Sequence, residues 1–97
     1  MNIGTVIKSL RKKQGLKQIE LASKCELSQS YLSSIEKGTK EPTLGVLKDI
    51  ANALSMPLPI LIFYSLDVND IEESKRGQFE LLEPSIKGLL NNVFATH

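Results

Sequence analysis

The sequence predicts an all-α fold: five short helices packed as a bundle, followed by a helical extension. Three observations predict it. Apolar residues recur at steps of three and four, helix-start and helix-stop residues bracket those runs, and no stretch shows the strict alternation of a strand. The chain has 97 residues, enough for one small domain with an appendage. No internal repeat is present.

The first helix is expected over about Asn2 to Gln14, where Ile3, Val6, Ile7 and Leu10 share a face and Gly15 ends the run. The second runs from about Gln18 to Lys24 and carries Ile19, Leu21 and Ala22. Its cap position holds Lys17, a poor cap, and Glu20 in the first turn compensates in part through the helix dipole. Leu27 stands in a short break. Ser28 then offers a hydroxyl to an otherwise unpaired backbone N–H and starts the third helix, Gln29 to Lys37, with Tyr31, Leu32 and Ile35 on its apolar side. Gly38 takes a left-handed conformation without a Cβ clash and ends it. The fourth begins after Pro42, with Thr43 as its cap and Leu44, Leu47, Ile50, Ala51 and Leu54 as a continuous stripe. The fifth starts near Pro57 and runs to Tyr64. Leu58, Ile60, Leu61, Ile62, Phe63, Tyr64 and Leu66 leave it almost no polar side, so it must be covered on more than one side.

The second and third helices, joined by a tight turn, form a helix-turn-helix. The third helix carries Gln29, Ser30, Ser33 and Ser34 away from its apolar side. Small polar groups on such a face can hydrogen-bond to base edges in the major groove of DNA.

Charge is divided along the chain. Residues 1–55 hold nine Lys/Arg against five Asp/Glu, and residues 56–97 hold three against six. The basic excess concentrates in Lys8, Arg11, Lys12, Lys13 and Lys17, a stretch without an acid. A polyanion is drawn to that end and weakly repelled by the other.

Several function classes are disfavoured. One cysteine, Cys25, excludes an internal disulfide and a cysteine-based metal site. The only histidine, His97, is the last residue, so no nucleophile–base pair and no metal-ligand spacing is available. No catalytic residue, metal or cofactor is expected, and the chain reads as a non-enzyme. Cys25 is expected to pack as a small hydrophobe between the second and third helices. The most apolar run, Met56 to Leu66, is 11 residues long, short of the roughly 20 that a spanning helix needs. With no signal peptide, the chain reads as cytoplasmic.

Beyond the bundle, the division falls between residues 1–66 and residues 67–97. An acidic connector, including Asp67, Asp70, Glu72 and Glu73, leads to a second amphipathic stripe of Phe79, Leu82, Ile86, Leu89, Leu90 and Val93. Pro84 interrupts it and is expected to kink the helix or restart it, because proline inside a helix costs about 3 kcal/mol. A broken helix of this length is marginal alone in water and must dock. Docking on the same chain, across a dimer interface, or on a different protein all remain open.

The chain resembles the lambda repressor/Cro-like, or XRE, family of helix-turn-helix regulators. The shared pattern is Ile7, Leu10, Arg11, Gly15, Leu16, Gln18, Leu21, Ala22, Leu27, Ser28, Tyr31, Leu32, Ile35, Glu36, Gly38, Pro42, Thr43, Leu47, Ile50, Ala51 and Leu54, over roughly residues 3–64. The resemblance implies a five-helix lambda-repressor-like bundle that binds operator DNA as a two-fold dimer. Carried across by position, Gln29, Ser30 and Ser34 would face base edges, with Ser33 bordering them. Gln18 would touch a phosphate and brace a base-reading side chain. Lys37 and Lys40 would approach the opposite phosphates, and Lys13 and Lys17 of the basic block are expected to contact phosphate as well. Arg11 and Glu36 would form an ion pair inside the domain. Two positions depart from the family pattern. Glu26 stands where glycine is frequent, at a cost on the order of 1 kcal/mol if the turn is left-handed. Lys17 stands where a Thr, Ser or Asn cap is usual.

The expected function is a sequence-specific regulator, a repressor acting as a homodimer on a near-palindromic site in double-stranded DNA. The alternative is a protein-interaction module or antitoxin-like regulator. It would hold a partner through Leu58, Leu61, Ile62, Phe63 and Leu66 of the fifth helix with Phe79, Leu82, Ile86 and Leu89 of the tail. The same residues serve as the dimer surface in the first reading. RNA suits the recognition helix less well, since the A-form major groove is deep and narrow.

Overall fold

The computed structural model describes residues 2–94, and the chain is helical throughout the described elements. They run in order α1 (Ile3–Lys13), α2 (Gln18–Lys24), α3 (Gln29–Lys37), α4 (Leu44–Ala53), α5 (Leu58–Ser65), two 3-10 turns (Val68–Asp70 and Glu73–Lys75) and α6 (Arg76–Val93). His97 lies outside the described residues.

The first four helices end in one hydrogen-bond pattern. After α1, Gly15 N–H donates to Lys12 O and Leu16 N–H to Arg11 O; after α2, Glu26 N–H donates to Ser23 O and Leu27 N–H to Ala22 O. After α3, Gly38 N–H donates to Ile35 O and Thr39 N–H to Ser34 O; after α4, Ser55 N–H donates to Asn52 O and Met56 N–H to Ala51 O. This is the Schellman arrangement, which needs one left-handed residue. Gly15 and Gly38 supply it at φ 72° and 80°, and Glu26 and Ser55 supply it at φ 56° and 54°. The helix-turn-helix turn is therefore an ordinary helix end in which Glu26 occupies a glycine-type conformation. Leu16, Leu27 and Met56, the residues just past three of these ends, fold back onto the core.

At the helix starts, Ser28 Oγ accepts from Tyr31 N–H at 3.1 Å and Thr43 Oγ1 accepts from Val46 N–H at 3.2 Å. Lys17 has no acceptor to offer α2; instead Glu20 Oε1 accepts from the Lys17 backbone N–H at 2.8 Å.

The core gathers Ile7, Leu10, Leu21, Ala22, Leu32, Ile35, Leu47, Ile50, Ala51, Leu54, Met56 and Leu61, one side from each of α1–α5. Helix α1 packs on both α3 and α5. Its approach to α3 is close: a Cβ on Gly4 would overlap the Ile35 carbonyl oxygen and stand 3.0 Å from that of Glu36. Nothing in the helical pattern alone marks Gly4 as a contact point.

Several expectations are corrected. Ile19 is 56% exposed, because it lies about 200° round the helix from Leu21, which faces the core. Leu44 is 66% exposed at the first turn of α4 and does not extend that helix's buried stripe. Leu61 is fully buried in the core, so it is removed from the docking surface expected of the fifth helix. Leu61 and Ser65, one turn apart, are the residues that α5 turns fully inward, while Leu58, Ile62, Phe63 and Leu66 stay half-buried.

Helix α6 is continuous from Arg76 to Val93 with Pro84 inside it, so of the kink or restart expected at Pro84 the restart does not occur. It lies against the 3-10 turns and the edge of the bundle. Tyr64 O–H donates to Asn91 Oδ1 at 2.8 Å, and Phe94, just past the helix, packs on the core. Glu83, Lys87 and Asn91 line the gaps between α6 and the α1–α5 edge. Phe79 is half-buried, whereas Leu82, Leu89 and Val93 are 56%, 69% and 72% exposed and Ile86 also faces solvent. The helix thus rests on a mixed side that includes Phe79, Glu83, Lys87 and Leu90, so the expected stripe is split, with Leu82, Ile86, Leu89 and Val93 left outward. No single helix among the described residues is long and apolar enough to cross a membrane.

Candidate nucleic-acid interface

The site is built on α3, held from behind by Leu32 and Ile35 and locked at its ends by Ser28 and Gly38. Gln29 and Ser30 at its N-terminal turn are exposed. Ser33 and Ser34 are half-buried. The Ser34 hydroxyl donates to Ser30 O at 3.0 Å, which leaves its lone pairs facing outward as acceptors. The Ser28 and Ser30 hydroxyls lie 3.4 Å apart.

Four lysines expected near this face are exposed. Lys17 precedes Gln18 at the start of α2, Lys37 is the last residue of α3 and Lys40 follows it, whereas Lys13 lines a gap with Tyr64, Lys87 and Asn91 on the α6 side of α1. Lys40 Nζ sits 5.8 Å from the Tyr31 ring centroid, a cation–π contact that restrains the ammonium. The backbone N–H groups of Thr39 and Lys40 both donate to Ser34 O.

Behind the face lies a polar chain. Arg11 Nε donates to Glu36 Oε2 at 2.8 Å and Arg11 Nη2 to Glu36 Oε1 at 3.0 Å, with both residues 7% exposed. Arg11 Nη1 donates to Leu16 O at 2.9 Å, which ties α1 to the start of the helix-turn-helix. Gln18 Nε2 donates to Glu36 Oε1 at 3.1 Å, and Gln29 Nε2 donates to Gln18 Oε1 at 3.5 Å. The link from Gln18 to Glu36 is absent from any linear pattern. Its only sequence signal is an acid and two glutamines at helix positions that fold into one line.

Elsewhere, Cys25 is buried, and burial together with the Asp49 carboxylate pushes its thiol up from the ordinary value. It is held as a thiol within the core. No group of three His, Cys, Asp or Glu among the described residues could hold a metal ion.

Comparison with known proteins places this geometry. A helix-turn-helix family model matches residues 7–61. The chain is 39% identical over 62 residues to the immunity repressor protein of Bacillus phage phi105, covering 64% of this chain and 43% of that one. It is 42% identical over 95 residues to an uncharacterized HTH-type transcriptional regulator, y4dL, of Sinorhizobium fredii, covering 94% of this chain and 48% of that one. It is 37% identical over 60 residues to the transcriptional regulator ClgR of Mycobacterium tuberculosis, covering 62% and 54%. The chain thus spans about half the length of these relatives. A crystal structure of ClgR from Corynebacterium glutamicum superposes with a TM-score of 0.63 at 28% identity, over 66% of this chain and 83% of that one. Matched over most of its bundle, the chain belongs to the helix-turn-helix family of lambda repressor/Cro-like type.

Proposed function

We propose that the chain is a sequence-specific regulator that binds double-stranded DNA through α3 and represses as a homodimer on a near-palindromic operator. The observation that carries this reading is the exposed Gln29–Ser30 end of a capped, core-anchored helix, with exposed Lys17 next to Gln18 in the chain and exposed Lys37 and Lys40 at the helix's other end. Lysines supply sequence-independent attraction to phosphate, and α3 reads bases. No arginine or lysine stands at Gln29, Ser30, Ser33 or Ser34, so the bidentate guanine contact is missing from the face, and Gln29 suits adenine. The best-specified base pair of each half-site is A·T.

The second copy docks on α6. Phe79, Leu82, Ile86, Leu89 and Val93 alternate by steps of three and four, the spacing of a coiled-coil seam. Ile86 and Val93 fall at one seam position and Leu82 and Leu89 at the other, the combination that favours two strands. Charge does not oppose pairing: Gln78, Ser85, Leu90 and Asn92 flank the seam uncharged, and Glu83 is tied to Lys87 at 3.5 Å in its own helix.

Binding-site selection from random duplex DNA at two salt concentrations tests the reading. A two-fold consensus is expected, with a log–log salt slope rising by about 0.9 for each phosphate neutralised. Retention of no duplex at low ionic strength overturns it. For the seam, Leu89→Glu is expected to convert a dimer to a monomer in sedimentation and to weaken operator binding. A wild-type monomer that represses fully overturns the seam, and a tail that retains another protein while DNA affinity is indifferent to its loss favours the interaction-module reading.

A further inference from the structure

Building on the base-reading role of α3, we infer that buried Glu36 is a positioning residue for sequence recognition: it fixes which way the Gln18 and Gln29 amides point. An ionised carboxylate can only accept hydrogen bonds, whereas an amide has one end of each kind. Glu36 is held by two Arg11 donors at 2.8 and 3.0 Å, and it still accepts from Gln18 at 3.1 Å. The nitrogen end of Gln18 must therefore face Glu36, and its oxygen must face away. That oxygen is what Gln29 meets, 3.5 Å from Gln29 Nε2. Only the nitrogen end of Gln29 can satisfy it. Gln29 is left with one free N–H beside a free carbonyl oxygen. A donor next to an acceptor, in this order, is the pair that matches N7 and N6 of adenine.

The polarity is thus set two side chains away, inside the domain, and passed outward through acceptor–donor logic. Before DNA binds, Gln18 alone does not set it, because an amide with no acceptor behind it turns over at no cost and presents either order. The buried ion pair has a second consequence beyond tying α1 to α3: its unused acceptor capacity orients the reading head.

The experiment measures relative affinity for the selected operator and for each single base-pair substitution of it. Glu36→Gln gives Gln18 a neighbour that can donate as well as accept, so the order is no longer imposed. Discrimination at the Gln29-read base pair is expected to fall roughly tenfold, the scale of one bidentate contact, while affinity for random duplex stays within about twofold. Gln18→Met, which removes the relay without touching the ion pair, is expected to lose the same discrimination, and the double variant is expected to lose no more than either single one. Ile50→Val, a core change remote from the relay, lowers thermal stability and is expected to keep discrimination. Selectivity that survives both Glu36→Gln and Gln18→Met overturns this inference and leaves base reading by α3 standing. Loss of discrimination in Ile50→Val shows a stability effect and overturns it as well. A wild-type chain without any sequence selectivity overturns both.

Discussion

Helices α4 and α6 carry apolar residues at the same helical spacing, and they end in opposite situations. In α4, Leu47, Ile50 and Ala51 are buried, and so is Leu54 just beyond. In α6, a helix of 18 residues, none is buried, and Leu82, Ile86, Leu89 and Val93 face solvent. Periodicity reports that a helix has a side to hide; it does not report what hides it. Helix α4 hides its side because α2 and α5 pack against it. Helix α6 is held by Tyr64–Asn91, Phe94 and the 3-10 turns, on a side that takes in Phe79 and Leu90 and leaves Leu82, Ile86, Leu89 and Val93 out.

The contrast is broken most sharply by matched truncations. Leu32→Ala in the bundle core is expected to cost about 2–5 kcal/mol in denaturant unfolding. Leu89→Ala is expected to change monomer stability by no more than about 0.5 kcal/mol, the usual range for a surface site. If Leu89→Ala costs as much as Leu32→Ala at a concentration where the chain is monomeric, the stripe is buried in cis and the contrast fails. A next smaller effect comes from Gly4→Ala. The added methyl would press on the Ile35 and Glu36 carbonyls, an overpacking cost of about 1–3 kcal/mol, whereas Gly88→Ala in α6, where nothing lies near, is expected to stabilise slightly. Ser28→Ala removes the α3 cap and should cost about 1 kcal/mol, read as a fall in melting temperature. The smallest expected change has the opposite sign. Glu26→Gly relieves the left-handed backbone at the turn and should raise stability by up to about 1 kcal/mol. A loss there would mean that the Glu26 side chain stabilises the turn.

Much of the bundle was legible because its signals are local. Ser28, Thr43, Gly15 and Gly38 each act within one turn of the chain, and α2, α3 and α4 fall where these residues place them. The exposed side of α3 was legible for the same reason, since its buried side is defined by Tyr31, Leu32 and Ile35. What was not legible involves partners distant in sequence. The apolar character of Ile19 and Leu44 matches that of their buried neighbours, and only the position of the other helices decides which sides close. Glu36 accepting from Gln18 joins residues 18 positions apart.

By itself the sequence determined that the chain is helical, where its first and third helices stop, and that the third helix carries a polar side. These follow from capping chemistry and helical period, both short-range. The tertiary structure alone decided that Gly4 is a crossing point and that Leu61 belongs to the core. It also decided which side α6 turns to the bundle and that Glu36 accepts from Gln18, which in turn accepts from Gln29. The physical reason is that burial and hydrogen-bond partnership are properties of pairs brought together by packing, and no residue carries them alone.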